Sequence, residues 1–279
     1  MSRPLVSIVT PSLNQCAFVE RTLESVLSQR GDFDLEVLVQ DGGSTDGTRE
    51  VLERYRDSVS LVVERDTGQA DAVNRGLSRA RGDILGWVNS DDLLRPDAIQ
   101  SVVEAFGANP SASWIHGRCD IVDGQDRIIR RPVAAYKDFR ARRHRIEQLL
   151  VENYVSQTTV FWRRSLQDRV GTLDGSLRYT FDYDLWLRFS RIAPPLFLER
   201  TQAAFRLYPT SKSGSSFEAQ FAEDYEVFLR HAPPRRWLRL RKRLRTAQIL
   251  AVYRVLRVLA LPGSVVDSAP VTAGKGSPP

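Results

Sequence analysis

Apolar and polar positions follow two different periods along the first hundred residues. Residues 5–10 form a short apolar run, suited to a strand buried on both faces of a parallel sheet. Residues 17–29 then set Phe18, Thr22 and Val26, with Leu23 and Leu27, at helical spacing. Residues 35–39 and 60–63 read as second and third strands. Residues 69–80 read as a helix with Ala72, Val73, Gly76 and Leu77 inward, and residues 83–88 as a fourth strand. Strands and helices alternating in this way predict a parallel sheet with right-handed crossovers.

The pattern changes after about residue 110. Residues 114–120 and 127–131 flank Asp123-Gly124, the signature of a hairpin. Residues 137–151 are basic and helical or irregular. Residues 157–162 suggest another strand, 183–192 a helix, and 217–229 an amphipathic helix. The stretch from Pro262 is rich in Pro, Gly, Ser and Ala and is expected to be disordered.

Composition narrows the class without naming a function. The 279 residues are 42% hydrophobic and 27% charged, enough for one large α/β domain or two smaller ones. The net charge of +6 is local: nine Lys or Arg and no acid fall between residues 231 and 266, so the remainder is net acidic. Cys16 and Cys119 are far apart and have no metal spacing, which implies a reducing compartment and no disulfide or zinc framework. The N-terminal apolar run is too short for a signal peptide, and no run of about 20 apolar residues predicts a spanning helix.

In open α/β sheets, ligands bind beyond the carboxyl ends of the strands. Strand one ends in Thr10-Pro11-Ser12-Leu13-Asn14. Strand two ends in Asp41-Gly42-Gly43-Ser44-Thr45-Asp46, strand three in a segment reaching Asp66 and Gln69, and strand four in Asn89-Ser90-Asp91-Asp92. The Asp41 loop lacks the spacing of a phosphate cradle and carries two carboxylates, which repel phosphate. Asp41 can accept from a base or ribose, or serve a tight turn; Asp46 reads as a helix cap. Adjacent acids such as Asp91 and Asp92 are unfavourable unless solvent or a cation compensates. A hard divalent ion on them would keep positions open for a diphosphate, the other reading being a solvated loop before the next helix. Asp182, in Thr180-Phe181-Asp182-Tyr183-Asp184, is either a general base or a helix cap, with Asp184 favouring the helix dipole.

Taken together and in this order, Val6-Ser7-Ile8-Val9-Thr10-Pro11-Ser12, the Asp41–Thr48 loop, Gly68-Gln69-Ala70-Asp71-Ala72, Asn89-Ser-Asp-Asp92, Gly171-Thr-Leu-Asp174 and Phe181–Arg188 resemble the family 2 inverting glycosyltransferases. The resemblance spans roughly residues 4–230. It implies an α/β fold of GT-A type, a Rossmann-like central sheet with a mixed α+β acceptor half, to which the residue pattern beyond it adds a C-terminal amphipathic helix. Residues 1–110 would be the nucleotide-sugar donor half, 111–230 the acceptor and catalytic-base half, 231–262 a basic membrane-associating helix and 263–279 a disordered tail. Asp182 would deprotonate a hydroxyl of a glycan or lipid-linked acceptor. Thr10, Pro11, Ser12, Asp41, Gln69 and Asp91 would bind donor, with Asp41 on the base. Asp91 and Asp92 would hold Mn²⁺ or Mg²⁺, and Gln157, Thr158 and Asp184 would line the acceptor side. The sequence departs from the family pattern in an aliphatic Leu13, in Asn89 where many members have Asp, and in Tyr208 where many have His. Tyr208 and Lys212 are then candidates for the diphosphate.

Residues 235–261 alternate cations with large apolar side chains. Arg239, Arg243, Arg254 and Arg257 fall near one helical face, with Leu240, Leu244, Leu250 and Val258 elsewhere. This suits a helix in the interface of an anionic membrane, placing the protein in the cytoplasm on the inner face of the cell membrane; the alternative is a helix packed on its own domain. Nucleic acid is not an expected partner, because the rest of the chain is net acidic. A nucleotidyltransferase would also use paired acids and metal but would need a basic triphosphate loop, and residues 10–20 carry no Lys or Arg. A transferase-like membrane scaffold without activity is the other alternative.

Overall fold

The computed structural model describes the backbone of residues 3–212 and 217–258, with side chains over 3–212 and 219–252. The expected β-α alternation is present: β1 (Leu5–Ser12), α1 (Val19–Leu27), β2 (Asp34–Asp41), α2 (Thr48–Glu53), β3 (Ser60–Val63), α3 (Gln69–Arg79) and β4 (Ile84–Trp87). β1 pairs in parallel with β2 and β4, and β2 with β3. The carboxyl ends of these four strands therefore open on one edge.

The second half extends the same sheet with mixed pairing. β5 (Leu93–Leu94), α4 (Ala98–Ala108), β6 (Trp114–Val122), β7 (Ile128–Ile129), α5 (Arg131–Ala141), α6 (Ile146–Val151), β8 (Phe161–Arg163), α7 (Arg164–Val170), α8 (Phe181–Ile192), β9 (Leu196–Arg206), α9 (Phe217–His231) and α10 (Arg236–Val258) follow. The sheet order is β3-β2-β1-β4-β8-β6-β9-β5, with β7 paired to β6. β6 and β9 are parallel to each other, and the other pairs that these later strands make are antiparallel. Residues 1–110 and 111–230 thus share one sheet. The hairpin across Asp123-Gly124 is present, but its second strand stops at Ile129, because Arg130 turns left-handed and α5 begins at Arg131. Residues 157–159 form a 3-10 turn rather than the start of a strand, and β8 begins only at Phe161.

Each face of the sheet is covered. Val19, Leu23, Ile99, Val102 and Phe106 from α1 and α4 pack on one side with Ile8 and Val37. The other side is built around α8, where Leu185, Trp186, Leu187 and Phe189 are fully buried. Each such aliphatic or Phe side chain contributes about 1.5–3 kcal/mol of burial free energy. Trp186 stacks on Trp87 of β4 at 5.6 Å and on Trp114 of β6 at 6.0 Å, so the helix carrying Asp182 is seated on the strand that leads to Asp91.

The N-terminal turns of α10 pack on the domain: Leu238 and Lys242 are buried. Among the described residues no helix is long and apolar enough to cross a membrane. The tail expected to be disordered lies outside the described residues, as does the end of the amphipathic segment beyond 258.

Candidate functional site

The segment leaving β4 splits its two acids. Asp92 is fully buried: Oδ1 accepts the Arg206 N–H at 2.8 Å, and Oδ2 accepts Thr158 Oγ1 at 2.7 Å and Asn89 Nδ2 at 3.1 Å. Burial, then the charge of Asp91, push its carboxyl up to about 7. Asp91 turns outward, half-buried, and its Oδ2 accepts the Tyr208 hydroxyl at 2.9 Å. Of the two acids expected to hold a cation, Asp92 is thus the one engaged by protein donors inside the fold.

Asn89 is the junction beneath them. Its Nδ2 also donates to Gln157 Oε1 at 3.0 Å, while its Oδ1 accepts Gln69 Nε2 at 2.8 Å. A carboxylate there would set an acceptor against two acceptors, which is why the amide suits the position. Gln157 and Thr158, expected on the acceptor side, take part in this floor: Gln157 Nε2 donates to the Trp87 carbonyl at 2.8 Å and Thr158 is buried against Asp92. The 3-10 turn directs both side chains inward.

Asp182 opens α8, half-buried, with Oδ1 accepting the Tyr183 N–H at 2.6 Å. Removal from water raises its carboxyl to about 6. Asp184, expected on the acceptor side, faces another direction. Two residues are about 200° around a helix, so Asp184 points away from the crevice, accepting from Arg188 Nε and bonded to His231 Nε2, at 2.8 and 2.7 Å. Burial alone would raise Asp184, but the His231 hydrogen bond and the Arg188 charge outweigh it and hold it below the usual carboxylate range.

The loop after β9 joins the two sides. Lys212 Nζ donates to Gln69 Oε1 at 3.0 Å and lies 5.1 Å over the Phe181 ring. Burial lowers its pKa, and the charge of Asp182 opposes that shift. The Tyr208 ring packs at a tilt against Phe18, centroids 4.8 Å apart; burial and then Asp91 raise its phenol, which stays a neutral donor. Arg206, also over Phe18 at 4.5 Å, is fully buried and donates to the Asp91 carbonyl at 2.6 Å and to Asp126, which also pairs Arg21.

On the far side of the crevice, Asp41 is fully buried. Its Oδ1 accepts the N–H groups of Gly43 and Ser44 at 3.0 and 2.8 Å, and its Oδ2 the Ser44 hydroxyl at 2.6 Å, so it shapes its own loop. Asp46 does the same for the entry to α2, accepting Thr48 N–H at 3.0 Å. Thr10 and Ser12, at the end of β1, have buried hydroxyls with no partner among the described residues, and Pro11 between them is buried.

Two residues not singled out from sequence matter here. Asp66 lies so close to Gly42 that a Cβ on that glycine would sit 2.6 Å from Asp66 Oδ2. Glu223 of α9 accepts the N–H groups of Arg178, Tyr179 and Thr180 and the Thr180 hydroxyl at 2.6–2.8 Å, fixing the approach to Asp182. Asp66 is visible in the sequence as a carboxylate after strand three, though without a role; nothing in an amphipathic helix marks Glu223.

Among the described residues no three His, Cys, Asp or Glu side chains converge as a metal cage. A single half-buried carboxylate, Asp91, could hold a hard cation only if most of the coordination came from water and phosphate oxygens.

A family model described as glycosyl transferase family 2 matches residues 7–170. The chain belongs to that family. An uncharacterized glycosyltransferase of Rickettsia typhi is 25% identical over 80% of this chain and 70% of its own length. A PGL/p-HBAD biosynthesis glycosyltransferase of Mycobacterium bovis is 31% identical over 67% of this chain and 70% of its own. S. aureus TarS 1-349, solved with UDP-GlcNAc, has a TM-score of 0.63 at 18% identity, covering 88% of this chain and 71% of that one. The mannosyltransferase PcManGT from Pyrobaculum calidifontis, solved with GDP-Man and Mn²⁺, has a TM-score of 0.62 at 17% identity, covering 92% and 81%. These two structures share the GT-A fold expected from the sequence. The family 2 assignment makes the chain a glycosyltransferase and decides against a nucleotidyltransferase.

Proposed function

We propose that this glycosyltransferase moves a sugar from a nucleotide-sugar donor to a hydroxyl of a glycan or lipid-linked acceptor in the cytoplasm, by in-line displacement with inversion. The observation that carries this reading is Lys212, whose ammonium touches Gln69 on one side of the crevice and lies within the field of Asp182 on the other. A diphosphate beside Lys212 would then lie across the crevice from a carboxylate that can take a proton. Residues 1–110 supply the donor side in this reading, and residues 111–230 the acceptor side and the base.

The unpaired hydroxyls of Thr10 and Ser12 and the carboxylate of Asp66 suit the nucleoside, with Pro11 between the hydroxyls, and Asp41 acts by shaping the loop around it. Asp91 would hold Mn²⁺ or Mg²⁺, which when bound offsets the charge developing on the leaving diphosphate. Lys212 would donate to the diphosphate oxygens, while the Tyr208 hydroxyl stays on Asp91. Asp182 accepts the acceptor hydroxyl's proton as that oxygen attacks the anomeric carbon, and its raised pKa makes it a stronger base than an ordinary carboxylate.

The test is incubation with a panel of nucleotide sugars and Mn²⁺ or Mg²⁺, reading nucleoside diphosphate release. Release above background with one donor, and its loss in Asp182→Asn, is the expected result. No release with any donor, with or without candidate glycan acceptors, would favour a non-catalytic, scaffold-like role.

A further inference from the structure

Helix α10 is held by one face and bare on the other. On the inner face, the buried Lys242 ammonium pairs with Asp224 of α9 and lies 5.3 Å over the Tyr183 ring. One turn on, Arg245 donates to both oxygens of Glu152 at 3.0 and 2.8 Å. These contacts fix the rotation of the helix about its axis.

The opposite face carries Trp237, Leu240 and Leu244, exposed by 50%, 59% and 57%, and the exposed Ala247 and Ala251 continue the row. At 100° per residue these five span a sector of about 80°. Arg236, Arg239 and Arg243 border it on one side and Arg241 on the other. Among the described residues Arg236, Arg239 and Arg241 have no carboxylate partner, while Arg243 Nε reaches the Tyr225 hydroxyl at 3.2 Å. No acidic residue occurs between 231 and 266 to neutralise them.

A solvated helix turns polar side chains outward. This one turns out an apolar stripe edged by unpaired cations, the arrangement that suits a lipid–water boundary. We propose that the outward face of α10 docks in plane on an anionic lipid surface, Trp237, Leu240 and Leu244 entering the boundary and the flanking arginines meeting the head groups. The charge favours lipid over a second copy of the chain: two such faces would bring arginines against arginines. The docking does not depend on which sugar is transferred. Because Lys242 ties the inner face to Tyr183, the residue after Asp182, the surface is keyed to the acceptor side of the site.

The full chain tests this by flotation with vesicles of phosphatidylcholine alone or mixed with phosphatidylglycerol. The protein should float with the mixed vesicles and poorly with phosphatidylcholine, and raised salt should weaken but not abolish flotation. The triple variant Trp237→Ser, Leu240→Ser, Leu244→Ser should lose flotation while keeping its melting temperature, since all three side chains are exposed. Arg239→Gln and Arg241→Gln should each weaken partitioning about fivefold. The proposal fails if the wild-type protein stays at the bottom with mixed vesicles, or if the triple variant floats as well. It fails equally if the wild type does not float and light scattering shows a dimer that the triple variant splits, which would make the face a contact between two copies.

Discussion

The Tyr208 hydroxyl donates to Asp91 Oδ2, the one acid of the Asp91-Asp92 pair that faces the crevice. A cation arriving at Asp91 therefore meets an oxygen already engaged by a neutral phenol. Tyr208→Phe removes that competitor and should tighten Mn²⁺ binding, measured by calorimetry with nucleoside diphosphate present, by about tenfold, the scale of a hydrogen bond to a charged group. Unchanged or weaker binding would mean that the phenol assists the ion.

Asp182→Asn keeps the shape of the base and removes its basicity. Turnover should fall on the order of 100- to 10,000-fold with donor affinity unchanged, and a twofold loss would count against the assignment. Because the Asp182 carboxyl is raised to about 6, it is protonated and inactive below that pH and ionised above it. Wild-type kcat/KM should therefore fall about tenfold per unit below about pH 6 and level off above. A rate independent of pH down to about 4.5 would assign the proton transfer elsewhere.

The two neighbouring acids should separate on mutation. Asp91→Ala should leave the melting temperature intact and make donor binding insensitive to EDTA. Asp92→Ala strands the Arg206 N–H, the Thr158 hydroxyl and the Asn89 amide in the interior. It should cost about 1–3 kcal/mol in urea unfolding. Wild-type donor affinity that is itself unaffected by EDTA would overturn the role given to Asp91.

Lys242 and Asp224 form a buried ion pair whose members each resist charging: burial lowers the lysine and raises the acid. Lys242→Ala leaves Asp224 alone and should destabilise by about 3–5 kcal/mol, whereas the paired replacement Lys242→Met with Asp224→Leu should recover most of the loss. Chemical denaturation of the three proteins decides it; a single variant as stable as wild type would show that α10 is not anchored there.

What the sequence made legible follows from the range of the interactions involved. Strands β1, β2 and β4 announce themselves because burial on both faces leaves largely apolar runs, and the edge strand β3 because its four residues are still mostly apolar. Strand β9 escaped notice because Glu199, Arg200 and Thr201 interrupt it where its register against β6 shifts, between Gly117 and Cys119. The carboxylates at strand ends were visible as residues, but which atoms each would meet was not. Asp92 is turned inward by Arg206 and Thr158, partners 114 and 66 positions away, and no local pattern encodes that. Asp184 is the opposite case: helical geometry alone sets it away from Asp182.

Among the described residues the short strand β5 pairs only with β9, so the acid-bearing segment between β4 and β5 is pinned at its far end by residues Ala203 and Ala204. During synthesis the first four strands can associate once they have emerged from the ribosome, but this pinning must await the chain past residue 206. The nascent protein thus carries its nucleotide fold for over a hundred residues of elongation before the acidic loop is locked. A ribosome-stalled chain ending near residue 150 should be compact and yet bind no nucleotide sugar.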